Sequence, residues 1–252
     1  MTNRWHVSWK RVGIVLASAF CALWLLGFVA NYFVIWYLAR ETFGNDPALS
    51  VVPVEVPDKT LAKLAGPRLE QFEYSFQVPW TGPDTGKTLR MVRLMSIKNG
   101  MSLMALNPAT ELNAVKAMKG ENQEQTSAVL RLFGPRALSS NCDLLAAELA
   151  ATPDQVRWWK PPTENTRNLI LLNLKSMEIS GSNLIYNISF GEMRGFQFGN
   201  PGISPFRVRL DLYDVNNRRY EIWIVGGHPK GPVLSQAEVN AMVASLRPIP
   251  HS

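Results

Sequence analysis

The sequence predicts an α+β fold, in which an N-terminal transmembrane helix precedes a largely antiparallel sheet flanked by helices. Three patterns predict it. Residues 12–38 (VGIVLASAFCALWLLGFVANYFVIWYL) run for 27 residues without a charge. Further on, short stretches alternate apolar and polar side chains with the period of two that a half-covered strand requires. Examples are Phe72, Tyr74, Phe76 and Val78, and later Phe206, Val208, Leu210 and Leu212. Near the C-terminus, Val239, Met242, Val243 and Leu246 fall at i, i+3, i+4 and i+7, the spacing of a helix that buries one face.

The charge-free run is long enough for a membrane span. As a helix it measures about 40 Å, against a hydrocarbon core of roughly 30 Å. Trp5 and Trp9 precede it, and Trp36 and Tyr37 lie near its far end, where amphipathic rings favour the two interfaces. The run is about twice the length of a cleavable signal core and no small-x-small pair follows it, so an uncleaved signal anchor is expected. Arg4, Lys10 and Arg11 lie before the run, whereas Arg40 after it is accompanied by Glu41, Asp46 and Glu55. The positive-inside rule then gives a single-pass protein of the cell (inner) membrane: a cytoplasmic tail (1–11), a transmembrane helix (12–38) and an extracytoplasmic, periplasmic-type region beyond it.

Of the net charge of +6, four basic residues and no acid lie in residues 1–40, while the rest of the chain carries 22 basic and 20 acidic residues. The basic character belongs to the membrane flank, so no nucleic-acid partner is expected. A hydrophobic content of 46% excludes a disordered chain. Cys21 lies in the apolar run and Cys142 in the outer region, so the two cannot pair within one chain.

The outer region divides in order. Residues 39–66, with Pro47, Pro53 and Pro57, read as an extended juxtamembrane spacer that includes a short helix at 59–65 stopped by Gly66-Pro67. Residues 67–252 read as one globular α+β domain. It opens with a strand at 72–80 and a hairpin of 89–97 and 101–106, turned at Asn99-Gly100. Residues 109–159 read as helical, with Ser139 or Ser140 capping one helix and Thr152-Pro153-Asp154-Gln155 restarting another as a capping box; Pro161-Pro162 ends it. Strands follow at 169–179, 184–190, 194–198, 206–213 and 220–225. A final helix opens on the capping box of Ser235 and Glu238 with the staple of Leu234 and Val239.

Residues 76–80 (FQVPW), the late strand at 220–224 (YEIWI) and the terminal helix at 236–246 together resemble the Mog1/PsbP-like α/β/α sandwich family. The helical stretch at 109–159 is long for that family. The resemblance implies a module that acts by contacting partners, and it carries over no catalytic residue.

Candidate chemistry is sparse. His228, in a Gly/Pro loop, is the only histidine in the body of the domain, and Cys142 is the only thiol there. Read together they make the sharpest enzyme hypothesis, but a surface turn residue and a packed thiol explain them more simply, so no catalytic residue is assigned. Met91, Met95, Met101 and Met104 read as packing rather than as a copper site, and no metal or cofactor is expected. The Asn187-Ile188-Ser189 sequon falls inside a strand. Two features suggest binding. Lys87, Arg90, Arg93 and Lys98 form a basic run without an intervening acid, suited to anionic headgroups. Trp158 and Trp159 are adjacent on a short helix, so the core can take one and the other should be exposed as a binding anchor. The expected function is a membrane-anchored, non-catalytic binding or assembly module, its partners being the bilayer and another membrane or envelope protein, or lipid. The alternatives are a lipid- or envelope-polymer-binding domain and, last, a tethered enzyme.

Overall fold

The computed structural model describes residues 9–71, 73–81, 87–88, 92–97, 101–106, 127, 130–134, 139–179, 183–203, 207–226 and 234–249. Its first element, α1 (Trp9–Phe43), is a single helix of 35 residues, longer at both ends than the charge-free run. Within it, Phe20–Phe43 is long and apolar enough to cross a membrane, and no part of its apolar window is buried inside the protein. The character of α1 changes at its C-terminal end. There Ala39 is buried, and Ile35 and Phe43 pack with Ala151, Val156, Leu171 and Leu172 of the domain.

The domain is built on one sheet of eight strands. These are β1 (Val54–Glu55), β4 (Lys87–Thr88), β5 (Val92–Ile97), β6 (Met101–Leu106), β7 (Ile185–Phe190), β8 (Met193–Phe198), β9 (Arg207–Tyr213) and β10 (Arg219–Gly226). Their spatial order is β1-β7-β8-β9-β10-β6-β5-β4, and every pairing is antiparallel except β1 with β7. A small second sheet orders β11 (Arg247–Pro248), β3 (Tyr74–Gln77) and β2 (Arg68–Gln71). Helices α2 (Asn141–Ala150), α3 (Pro162–Glu178) and α4 (Gln236–Ala244) accompany the sheets.

Strand alternation decides what covers each face. Val208, Leu210 and Leu212 of β9 and Tyr220, Ile222 and Ile224 of β10 point to one side, where Val239, Met242 and Val243 of α4 and Tyr74, Phe76 and Val78 meet them. Helix α4 starts as its sequence requires: Ser235 Oγ accepts from the Glu238 amide at 3.2 Å, and Glu238 Oε2 accepts from the Ser235 amide at 2.7 Å. On the other side lie α2 and α3, with Cys142, Leu145 and Leu149 against Phe196, Phe198 and Tyr213. Ser140, rather than Ser139, caps α2, accepting from the Asp143 amide. The turn from β9 to β10 is closed by Asp214, whose Oδ1 accepts from the amides of Asn216 and Arg218, both at 2.9 Å. It needs Asn217 at φ 62, a conformation that asparagine tolerates better than most residues.

Several sequence expectations are corrected. Residues 169–179 are not a strand; residues 162–178 form α3, and Pro162 begins that helix at its first position instead of ending the one before. The Thr152 capping box opens only a 3₁₀ turn, Pro153–Gln155, and no longer helix. Residues 59–65 are extended, not helical. The segment read as a spacer lies along the domain: Ala48, Leu49 and Val56 are buried, and Val54–Glu55 joins the sheet as β1. Much of the helical stretch expected at 109–159 falls at 107–126, outside the described residues.

Candidate functional site: a tryptophan loop beside the end of α1

The loop between the 3₁₀ turn and α3 is shaped by one buried residue. Asn165 sits in the first turns of α3 with no solvent exposure. Its Oδ1 accepts from the Arg157 amide at 3.1 Å, and its Nδ2 donates to the carbonyl oxygens of Arg157 at 2.8 Å and Lys160 at 3.4 Å. Three hydrogen bonds to a four-residue stretch fix its backbone. Below it, Asn168 Nδ2 donates to the Gln155 carbonyl at 3.2 Å, and Val156 is the loop's buried anchor. The chain between Val156 and Lys160 is thereby turned outward.

Both tryptophans follow it out. Trp158 is 50% and Trp159 60% exposed, so the expectation that the core takes one of them is corrected. The core contact is made by Val156 instead. The indoles pack edge to face on each other, 5.6 Å between centroids, and the Arg157 guanidinium lies over the Trp159 ring at 5.3 Å. Lys160 pairs with Glu164, which removes one cation from the loop's field.

The loop faces the end of α1. Trp36, Arg40, Asp154, Arg157, Trp158 and Trp159 line one open cavity of about 410 Å³. Arg40 lies over the Trp36 ring at 5.8 Å, so both walls carry an arginine on an indole. Among the described residues, neither arginine has an ion-pair partner.

A buried lysine holds the two walls together. Lys175 of α3 donates from Nζ to the carbonyls of Leu49 at 2.9 Å, Val51 at 2.7 Å and Ala151 at 2.6 Å. Its three donors are satisfied by backbone, and burial lowers its pKa to about 8. The strap continues through β1 to Asn240 of α4, whose Nδ2 donates to the carbonyls of Asp58 and Thr60. The segment between α1 and the domain is therefore pinned along its length.

A second polar cluster lies between the sheet and the helices. Arg209 stacks 3.9 Å from the Phe198 ring centroid, flanked on its other side by Trp223 at 5.4 Å. It reaches Asp211 at 3.2 Å and Glu178 at 3.3 Å, while Arg219 reaches Asp211 at 3.1 Å and Glu221 at 3.3 Å. Asp211 Oδ1 and Arg209 Nε are buried without a hydrogen-bond partner among the described residues. Burial, then the nearby Glu178, raise the Glu148 pKa to about 7 against the pull of Arg219. Burial and then Asp211 also raise that of Glu221. Such a cluster can store charge and a proton. No group of three or more metal-ligating acids, histidines or cysteines occurs among the described residues.

The other candidates fall elsewhere. Lys87, paired with Leu94, and Arg93, paired with Thr88, lie at the β4–β5 edge, the opposite end of the sheet from β1, and neither lines the tryptophan cavity. Arg90 and Lys98 lie outside the described residues, as do His228 and Met91. Burial raises the Cys142 pKa, which disfavours the reactive thiolate. Met104 is half-buried on β6. Asn187 is on a paired strand between β1 and β8, as its pattern predicts. The residues not anticipated are Asn165, Lys175 and the Arg209–Asp211 cluster, together with the facing of Trp36 and Arg40 to the loop. The available signal was Pro162, which is as good a helix start as a stop. In comparison with known proteins, the chain matches no family model, no curated protein and no solved structure.

Proposed function

We propose that the chain is a single-pass, membrane-anchored module of the cell (inner) membrane whose extracytoplasmic α+β domain works by binding or assembly. The observation that carries this reading is the Trp158–Trp159 pair, half or more exposed on a loop that buried Asn165 holds rigid, beside the end of an unburied apolar helix. Exposed indoles in a fixed loop favour recognition, because little side-chain freedom is lost on binding. Arg4, Lys10 and Arg11 support an inward N-terminus. A thiol pushed toward its neutral form at Cys142 weighs against a nucleophilic enzyme. The Mog1/PsbP-like resemblance of residues 76–80, 220–224 and 236–246 implies a role through contact. The partner is another membrane or envelope protein, or lipid.

The reading is tested by a reporter active only outside the cytoplasm, fused after Ser252 of the full chain. Activity is expected. Activity of a cytoplasm-only reporter instead would reverse the orientation and put the tryptophan loop on the wrong side.

A further inference from the structure

We infer that the cavity between the end of α1 and the tryptophan loop seats phospholipid headgroups of the bilayer that α1 crosses. Arg40 and Arg157 face the phosphates, and Trp158 and Trp159 lie in the interfacial layer beside Trp36. The inference rests on the membrane-anchored reading above and names the surface that its binding loop meets.

Geometry makes the first argument. The charge-free run ends at Leu38 and, at about 40 Å as a helix, exceeds the roughly 30 Å hydrocarbon core, so its far end reaches the headgroup layer. Trp36 and Arg40 are then at headgroup level, and whatever shares a cavity with them is at headgroup level too. Trp158, Trp159 and Arg157 share it.

Rigidity makes the second. A flexible spacer would let the domain stand off from the bilayer. Here Ala39 and Phe43 pack into the domain, Lys175 binds the carbonyls of Leu49 and Val51, and β1 joins the sheet. The domain cannot swing away without breaking these contacts, so the loop stays where α1 emerges.

Chemistry makes the third. Indoles concentrate at membrane interfaces because one edge is apolar and the other donates a hydrogen bond. Two guanidiniums without ion-pair partners among the described residues suit phosphate oxygens, which they can bind in bidentate fashion. Asp154 on the same lining leaves a net charge of +1, enough for a phosphate, whereas a polyanionic ligand calls for more. Of the lysine and arginine run, Lys87 and Arg93 lie at the β4–β5 edge and line no part of this cavity.

The test uses the full chain in phosphatidylcholine–phosphatidylglycerol vesicles whose acyl chains carry bromine either near the headgroup or at mid-chain. Tryptophan emission is compared between the wild type and Trp158→Phe/Trp159→Phe, and the difference reports the pair alone. The expected result is that the pair is quenched by shallow bromine and much less by deep bromine. With bromine confined to the phosphatidylglycerol, Arg40→Gln/Arg157→Gln should lower the shallow quenching of the pair toward that of a random lipid mixture, because the phosphate contacts and not the depth are lost, while leaving the thermal melt unchanged. Flotation of each sample with the vesicles is scored alongside. If the chain floats but shallow bromine leaves the pair unquenched, the headgroup seat is overturned, the anchored reading stands, and the indoles fall to a protein partner. Failure to float would overturn both.

Discussion

Strands β9 and β10 present two faces that obey different physics. On one, Val208, Leu210, Leu212, Tyr220, Ile222 and Ile224 meet α4 and the small sheet in an apolar layer. On the other, Arg209, Asp211, Arg219, Glu221 and Trp223 lie under α2 and α3, joined by Glu148 and Glu178. The apolar layer is held by non-directional burial, worth about 25 cal/mol per Å². The charged layer is held by directional pairs whose desolvation offsets much of their attraction. One side should therefore respond to lost volume or intruding charge, the other to a broken pair or a proton. The tryptophan cavity and Lys175 lie on the helical side, the side that also carries the charged cluster.

The largest effect should come from charge placed in the apolar layer. Val243→Asp puts an unpaired carboxylate on the α4 face that packs against the sheet, and the domain should fail to fold. Near-ultraviolet circular dichroism of the full chain in detergent checks this; a native spectrum would mean that α4 does not dock. On the charged face, Arg209→Met should cost up to about 3 kcal/mol, because buried Asp211 then keeps only Arg219 as a partner. Arg209→Met with Asp211→Leu should recover most of the loss, as removing both members of a buried pair often does. Denaturant titration of both variants separates a lost pair from lost packing. A double variant as unstable as the single would place the face with the apolar layer.

Lys175→Met leaves three carbonyls without their donor and should cost about 3 kcal/mol or more. Protease cleavage between Ser50 and Lys63 should accelerate with it, since the strap loses its central tie. A smaller effect follows from Glu148. Its pKa of about 7 lies above the ordinary 4.5, so between these values the folded state keeps a proton that the unfolded state has released. Stability should fall as pH rises across that window, by at most about 3 kcal/mol. Glu221, also raised, adds in the same direction. Melting temperatures at pH 5 and pH 8 should differ in the wild type and differ less in Glu148→Gln, with the Glu221 contribution remaining. The smallest effect belongs to the tryptophans: Trp158→Ala and Trp159→Ala should each change stability by no more than about 0.5 kcal/mol, as exposed positions do. A loss of several kcal/mol from either would make that ring structural.

What could be read from the chain alone follows from local rules. A charge-free run, alternation in β7 to β10 and a capping box at Ser235 and Glu238 each specify an element through neighbours a few residues away. The structure agrees on all of them, including the antiparallel pairing of Ile97 with Met101 on either side of the expected turn. Trp158 and Trp159 were legible as a pair, but the exposure of both was not.

The rest depended on partners far along the chain. Residues 169–179 read as a strand because the buried stripe of α3 is interrupted by Asn165, Asn168 and Lys175, polar residues at core positions that hide the helical period. Those residues are buried because distant backbone satisfies them. Lys175 meets Leu49 across 126 residues of sequence, and nothing near either one announces it. The same holds for the spacer, whose prolines signal an extended chain but not the surface it lies on. Both tryptophans are exposed because Val156 and Asn165 fill the space that either could have taken. Sequence alone determined the elements whose local pattern is not interrupted by buried polar residues. Tertiary structure decided where buried polar groups found acceptors, because that choice needs atoms that only the folded chain brings together.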